Sequence, residues 1–183
     1  MLRYLRNCMA ALLAFLIAGL SSQHSFAQNA SPQKPPVTIS GFEYQFLQKG
    51  EIHMNVCRHQ QCIPGSKVSY IVYAAEENPD FEQFILYQKQ LEDLLNSRAP
   101  KGTITKFDTP QQETNELFTL FFNTREQRLV NGTKLFTRSS YIYRKNMTIS
   151  LISSSAEKDV VGANSVLFLT GLLAWSSTVG KSN

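Results

Sequence analysis

Short runs rich in β-branched and aromatic residues recur along the chain, and such runs predict strands. They cover residues 37–47, 51–58, 68–73, 103–107 and 117–122. The first run predicts either a pair of strands or one long bent strand, because Gly41 interrupts it. The third run has β-forming side chains on both faces, which is typical of a central strand.

Two turn signals follow these runs, and each predicts a hairpin. Asn131-Gly132 is a dipeptide that tight hairpin turns strongly prefer, and Lys145-Asn146 is a less specific signal of the same kind. The flanking runs are 127–130 and 133–136 for the first dipeptide, and 141–144 and 147–152 for the second. Two hairpins in succession predict an antiparallel meander.

An amphipathic helix is predicted over residues 79–98. Asn78 is its predicted N-cap, Pro79 suits the first helical position, and Asp80 favours the positive end of the helix dipole. Pro100 predicts its end. The apolar stripe consists of Phe81, Phe84, Ile85, Leu91, Leu94 and Leu95. Such a stripe needs a sheet to cover.

A second helix, over about residues 160–179, is apolar in every direction. Residues 160–180 contain no charged side chain. This pattern predicts a helix that is buried on all sides or lies in a membrane. The continuous apolar stretch, 166–175, is shorter than the ~20 residues that a membrane span needs. The sequence therefore predicts a core helix, with membrane association as the alternative.

Together these elements predict an α+β fold, an antiparallel β-sheet meander covered by an amphipathic helix (about 79–98) and an apolar C-terminal helix (about 160–179). The order of elements from Phe42 to about Val179 resembles the PsbP-like α-β-α sandwich, in which helices cover each face of an antiparallel sheet. This resemblance implies a non-catalytic accessory domain that supports a larger assembly.

The N-terminus has the features of an export signal. Arg3 and Arg6 precede the apolar run of residues 9–20, and small residues, Ser25 and Ala27, occupy the positions that signal peptidase inspects. The alternative is an uncleaved anchor, which the shortness of the apolar run disfavours.

The chain is thus predicted to comprise a signal peptide (1–27), a flexible Pro-rich lead-in (28–36) and a single α+β domain (37–183). Cleavage would make Gln28 the new N-terminus. The predicted compartment is the periplasm, with secretion from the cell as the alternative.

The net charge and the distribution of basic residues limit the kinds of partner that the protein could bind. The chain has 18 basic and 14 acidic residues, a net charge of +4, and export removes Arg3 and Arg6. The small excess that is left predicts no nucleic-acid partner. The hairpins carry a concentration of basic residues, Arg125, Arg128, Lys134, Arg138, Arg144 and Lys145. If neighbouring strands bring them into one patch, the partner is another envelope protein or an anionic envelope surface. The alternative is an ordinary solvated face.

Cys57 and Cys62 lie in one short segment with His53 and His59. In an oxidising compartment an isolated cysteine pair predicts a disulfide, and the intervening residues let the Cα atoms approach within the ~4.4–6.8 Å that it needs. The alternative is a zinc or copper site made by His53, Cys57, His59 and Cys62. A strand would hold His53 and Cys57 too far apart to chelate jointly, which favours the disulfide.

The sequence contains no Gly-x-Ser-x-Gly elbow, no His-Glu-x-x-His motif and no phosphate-binding glycine loop. It therefore gives no catalytic residue and no cofactor. The predicted function is that of a non-catalytic accessory or binding protein of the cell envelope that acts through a surface. Two alternatives stay open, a small metal-handling protein and a hydrolase of envelope polymer that uses unrecognised carboxylates.

Overall fold

The computed structural model describes residues 36–47, 51–75, 79–145 and 147–179. In this part of the chain, eight strands form one antiparallel sheet and two α-helices accompany it, which confirms the predicted α+β fold. The strands are β1 Phe42–Leu47, β2 Ile52–Cys57, β3 Lys67–Ala74, β4 Ile104–Phe107, β5 Gln111–Thr114, β6 Thr119–Arg128, β7 Lys134–Arg144 and β8 Met147–Ser155. The helices are α1 Phe81–Arg98 and α2 Lys158–Val179.

The strand order is β1-β2-β3-β8-β7-β6-β4, and β5 also pairs with β6. Since side chains alternate along a strand, residues aligned across strands share one face of the sheet. Tyr70, Leu151, Ser140 and Phe122 form one such row, and the face that carries it packs on α2. We call it the α2 face. The opposite face carries Phe121 and packs on α1, so we call it the α1 face.

The strands β6 and β7 are longer than predicted. Residues 117–122 and 127–130 were expected as separate strands, but one unbroken ladder pairs β6 with β7 from Thr119 to Arg128. Both predicted hairpins are confirmed. Gly132 adopts φ +82° in the loop between β6 and β7, and Arg144 pairs with Met147 across the second turn. Asn146, in that turn, lies outside the described residues.

Strand β5 was not predicted, for a physical reason. All four of its residues are polar and exposed, so it carries no hydrophobic signal. It exists because its backbone pairs with the first half of β6, where Gln111 aligns with Phe122.

Helix α1 begins later than predicted. Its N-cap is Asp80, whose Oδ1 accepts hydrogen bonds from the backbone N–H groups of Glu82 (2.9 Å) and Gln83 (3.2 Å). Pro79 therefore precedes the helix and does not occupy its first position. The predicted cap, Asn78, lies outside the described residues. A carboxylate at this position satisfies two amides that the helix itself cannot pair.

The buried stripe of α1 includes Gln88, which was not predicted, and leaves out Ile85, which was. Phe84, Gln88, Leu91 and Leu95 are buried, whereas Ile85 is 42% exposed. The helix turns Gln88 inward because that residue lies on the line from Phe84 to Leu91, and the ring of Phe84 contacts Phe121 and Tyr141. The prediction that Ile85 belongs to the core was wrong.

Helix α2 completes the core on the other face. Val161, Phe168 and Leu172 are fully buried, and the ring of Phe168 meets that of Phe42 edge to face at 5.0 Å. The expectation that this helix is buried on all sides was wrong, because its opposite side is exposed, including Leu167. Packing on a single sheet covers only one side of a helix.

Candidate functional site

The cysteine segment lies at the edge of the sheet where β2 ends. Cys57 is the last residue of β2, and a short 3₁₀ turn, Gln60–Cys62, brings Cys62 back toward it. The two Cα atoms are 5.9 Å apart and the sulfur atoms are bonded, which is consistent with the predicted disulfide. The backbone N–H of Cys62 donates to the carbonyl oxygen of His59, and this bond closes the turn.

The two histidines of this segment, His53 and His59, have different structural environments. His53 lies in the middle of β2, where its ring stacks on Tyr70 with centroids 4.7 Å apart and its Nδ1 lies 2.9 Å from the hydroxyl of Tyr44. His59 caps the 3₁₀ turn, and its Nδ1 accepts a hydrogen bond from the backbone N–H of Gln61 at 3.3 Å. Burial lowers the pKa of His53, and the charge of Glu51 opposes this shift.

The geometry does not assemble the metal site that His53, Cys57, His59 and Cys62 could have formed. Both sulfur atoms are used by the disulfide, and a zinc ligand must be a thiolate. Four residues of strand also separate His53 from Cys57, a span of roughly 13 Å. Among the described residues, no group of three or more His, Cys, Asp or Glu side chains could hold a metal ion.

The six basic residues of the hairpins do not gather into one patch. At the end of the sheet near the first hairpin, Arg128 and Lys134 approach the carboxylate of Glu126, at 3.8 and 3.0 Å. At the opposite end, Arg144 donates a hydrogen bond to the carbonyl oxygen of Leu173 in α2 at 3.0 Å and also contacts Ser176. Lys145 follows in the next turn.

The remaining two arginines lie on opposite faces of the sheet. Arg138 is on the α2 face, with its guanidinium 3.9 Å from the ring centroid of Phe122. Arg125 is on the α1 face, near the ring of Phe107. Basic residues on neighbouring strands do not necessarily form one patch, because successive side chains of a strand point to opposite faces of the sheet.

Two polar residues beneath α1, the buried Gln88 and the partly buried Arg125, were not predicted from the sequence. The Nε atom of Arg125 is buried without a hydrogen-bond partner, and so are both amide atoms of Gln88. Burial lowers the pKa of Arg125 to about 10, and Tyr87 has the opposite effect on it. The only signal in the sequence was the position of Gln88 within an otherwise apolar helical line.

The side of α2 that faces away from the sheet is exposed, and from residue 160 onward it carries no charge. We define the outer face of α2 as six of its exposed residues, Ala163, Val166, Leu167, Thr170, Ala174 and Ser177. Val166 is 56% exposed and Leu167 is 45% exposed. Within the described part of the chain, α2 is the one helix whose length and composition would allow it to cross a membrane, a property that core helices of soluble proteins share.

No known family model matches the chain, and no curated protein matches it. A function must therefore be argued from the contacts and exposure of the chain's own residues.

Proposed function

We propose that this chain is an exported, non-catalytic binding protein of the cell envelope that docks a helix of a partner protein on the outer face of α2. The observation that carries the proposal is the exposure of an uncharged helix face opposite the core face of the same helix. The predicted signal peptide and the resemblance to PsbP-like accessory domains agree with it.

The spacing of the outer face suits a helical partner. Ala163, Leu167, Thr170, Ala174 and Ser177 follow one another at intervals of four, three, four and three residues. This is the repeat of a coiled-coil seam, which keeps one stripe of a helix turned toward a partner helix. Small side chains in the seam let a second backbone approach closely.

Two larger side chains supply the driving force for docking. Val166 and Leu167 are adjacent and exposed, and fully burying such a side chain contributes about 1.5–3 kcal/mol. From Ala163 to Ser177 this face carries no charge that must be removed from water on docking. Most of the binding free energy is therefore expected from the middle of the helix.

A protein partner fits these residues better than an anionic lipid surface. Helices that lie on membranes carry Lys and Arg beside their apolar face. Among the described residues, the cations at the two ends of α2 are occupied within the domain, because Lys158 pairs with Asp108 at 3.1 Å and Arg144 bonds to the last turns of the helix. The membrane is thus the alternative outcome of the test.

The test is site-specific photo-crosslinking in the exporting cell. A photoreactive amino acid at position 167 is expected to give an adduct with one protein, and Ala174→Glu in the same chain is expected to abolish it by placing a charge in the seam. The matched control is position 86 on α1, where Leu86 is 55% exposed and outside the seam. Thermal unfolding should be unchanged, because exposed substitutions cost within about 0.5 kcal/mol.

Three results would contradict the proposal. An adduct with lipid at position 167 would establish a membrane surface as the partner. The same protein adduct from position 86 would show collision without a specific face, and no adduct at position 167 would place the binding surface elsewhere.

A further inference from the structure

The starting point is a partly buried cation that has no counter-charge among the described residues. Arg125 lies on the α1 face of β6, and its buried Nε has no hydrogen-bond partner. Its guanidinium carbon lies 5.9 Å from the ring centroid of Phe107. By contrast, the nearby cations Arg128 and Lys134 both form ion pairs with Glu126. A guanidinium presents its N–H donors in a rigid fork and cannot be neutralised at physiological pH, so its buried Nε–H calls for an acceptor.

The neighbours of Arg125 on the α1 face are neutral, and several are already engaged. Asn123 donates its amide N–H to the carbonyl oxygen of Asp108, and Gln127 donates to the hydroxyl of Thr105 at 3.4 Å. Across the ladder, Arg125 aligns with Thr137 on β7 and with Phe107 on β4. None of these side chains supplies the negative charge that the guanidinium lacks.

Gln88 is the second group with unpaired atoms, and it lies on the side of α1 that faces the same part of the sheet. It is only 2% exposed, and neither its Nε2 nor its Oε1 has a hydrogen-bond partner. Helix α1 runs in the direction of β6, because Phe81 and Phe84 at its start contact Phe121 and the strand that follows it begins at Ile104, which pairs with Arg128. Four helical residues advance by ~6 Å and two strand residues by ~6.7 Å. Because Phe84 contacts Phe121, one turn later Gln88 comes over the stretch of β6 between Phe121 and Arg125.

We infer that Arg125 and Gln88 form a binding site, between α1 and the sheet, for a small oxyanion that carries a hydroxyl group. The guanidinium fork matches two oxygen atoms of a carboxylate or phosphate. The Nε2 of Gln88 donates to the same anion, and its Oε1 needs a donor, which the hydroxyl supplies. Hydrogen phosphate and a 2-hydroxycarboxylate both meet this description, whereas sulfate and acetate lack the hydroxyl at neutral pH.

The experiment measures binding to the purified protein by calorimetry and by the midpoint of thermal unfolding. The probes are phosphate, sulfate, glycolate and acetate, at one ionic strength set with sodium chloride. At least one of phosphate and glycolate is expected to bind saturably and about tenfold more tightly than its partner without a hydroxyl, since one hydrogen bond is worth about a factor of ten. Which of the two binds identifies the class of ligand.

Variants separate a binding site from a structural cluster. Arg125→Met is expected to remove saturable binding, and Gln88→Leu is expected to remove the preference for the hydroxyl while keeping weak binding. The matched control is Arg138→Met, which deletes the same charge from the other face of the sheet and should leave affinity unchanged. If Arg125→Met does not fold, Arg125→Lys keeps the charge without the fork and should bind about tenfold more weakly.

The inference fails if no probe binds saturably, because the unpaired atoms would then be purely structural. It also fails if all four anions raise the unfolding temperature alike in the parent and in Arg125→Met or Arg125→Lys, which would be a general salt effect. Neither result bears on the docking proposal, which rests on α2 and the other face of the sheet.

Discussion

At the scale of single residues, His53 shows what burial does to a group that titrates near neutrality. Its ring is packed between Tyr70 and Phe46, with centroids 4.7 and 5.2 Å away, and it hydrogen-bonds Tyr44. Burial lowers its pKa, against the opposing effect of Glu51. The folded protein therefore holds His53 neutral at a pH where the unfolded chain would already bind a proton.

The consequence is a loss of stability in mild acid. The unfolded pKa of histidine is about 6.5 and the folded pKa of His53 lies below it, so protonation favours the unfolded chain. The contribution is present above about pH 6.5 and is lost as the pH falls toward the folded pKa. Urea unfolding between pH 7.5 and 5.5 should show this slope, and His53→Gln should reduce it. An identical slope in parent and variant would show that other groups cause the effect.

Among the candidate functional residues, the cysteine pair could be predicted from the sequence, whereas the residues beneath α1 and the arrangement of the basic residues could not. The pairing of Cys57 with Cys62 is local, since a short turn suffices to bring them together. The juxtaposition of Gln88 and Arg125 depends on how a helix sits on a sheet, and no short-range pattern encodes it. The basic patch failed for a related reason, because the register of β6 and β7 decides which face each charge occupies.

At the scale of elements, α2 is the helix whose existence could be predicted and whose sidedness could not. An uncharged helix that is apolar all round has no stripe to mark its core face. Close packing on the core decides which side is buried, and Gly171 lies against Val37 on that side. A Cβ at position 171 would lie 2.6 Å from Cγ1 of Val37, whereas a Cβ at position 162 of the same helix would meet nothing within 4 Å.

Two glycine substitutions therefore have opposite expected effects. Gly171→Ala should destabilise the protein by about 1–3 kcal/mol, because Val37 is buried and has to move. Gly162→Ala should stabilise it by about 0.5–1 kcal/mol, because alanine favours the helix and finds open space. The measurement is equilibrium unfolding in urea. If both variants are stabilised, α2 does not pack on Val37 in solution.

The strands also differ in how well the sequence predicted them. β2 and β3 were predicted within one or two residues because their apolar and β-branched side chains are concentrated in one run each. β5 has no such run and is held mainly by backbone pairing with β6, with one side-chain hydrogen bond from Thr114 to Thr119. Where the stabilising contact is a backbone ladder between polar residues, the side-chain pattern carries little information about the element.

At the scale of the whole molecule, the sheet separates two surfaces with different chemistry. The outer face of α2 is uncharged, and the layer beneath α1 holds the unpaired Nε of Arg125 and the unpaired amide of Gln88. Because these features lie on opposite faces of one sheet, a variant in either is expected to leave the other intact. One fold could therefore bind a partner protein on the α2 side of the sheet and a small anion on the α1 side.

The last prediction concerns the compartment in which these surfaces operate, and it lies in residues 1–35, outside the described ranges. If the chain is exported and cleaved after Ala27, the purified protein begins at Gln28 and has lost Cys8. Cys57 and Cys62 are then its only cysteines, and an oxidising compartment keeps them paired. Intact mass should match residues 28–183, and thiol titration of the unfolded, unreduced protein should find no free thiol. A mass that retains residues 1–27 together with one free thiol would instead establish an uncleaved N-terminal anchor, with Cys8 as the unpaired residue.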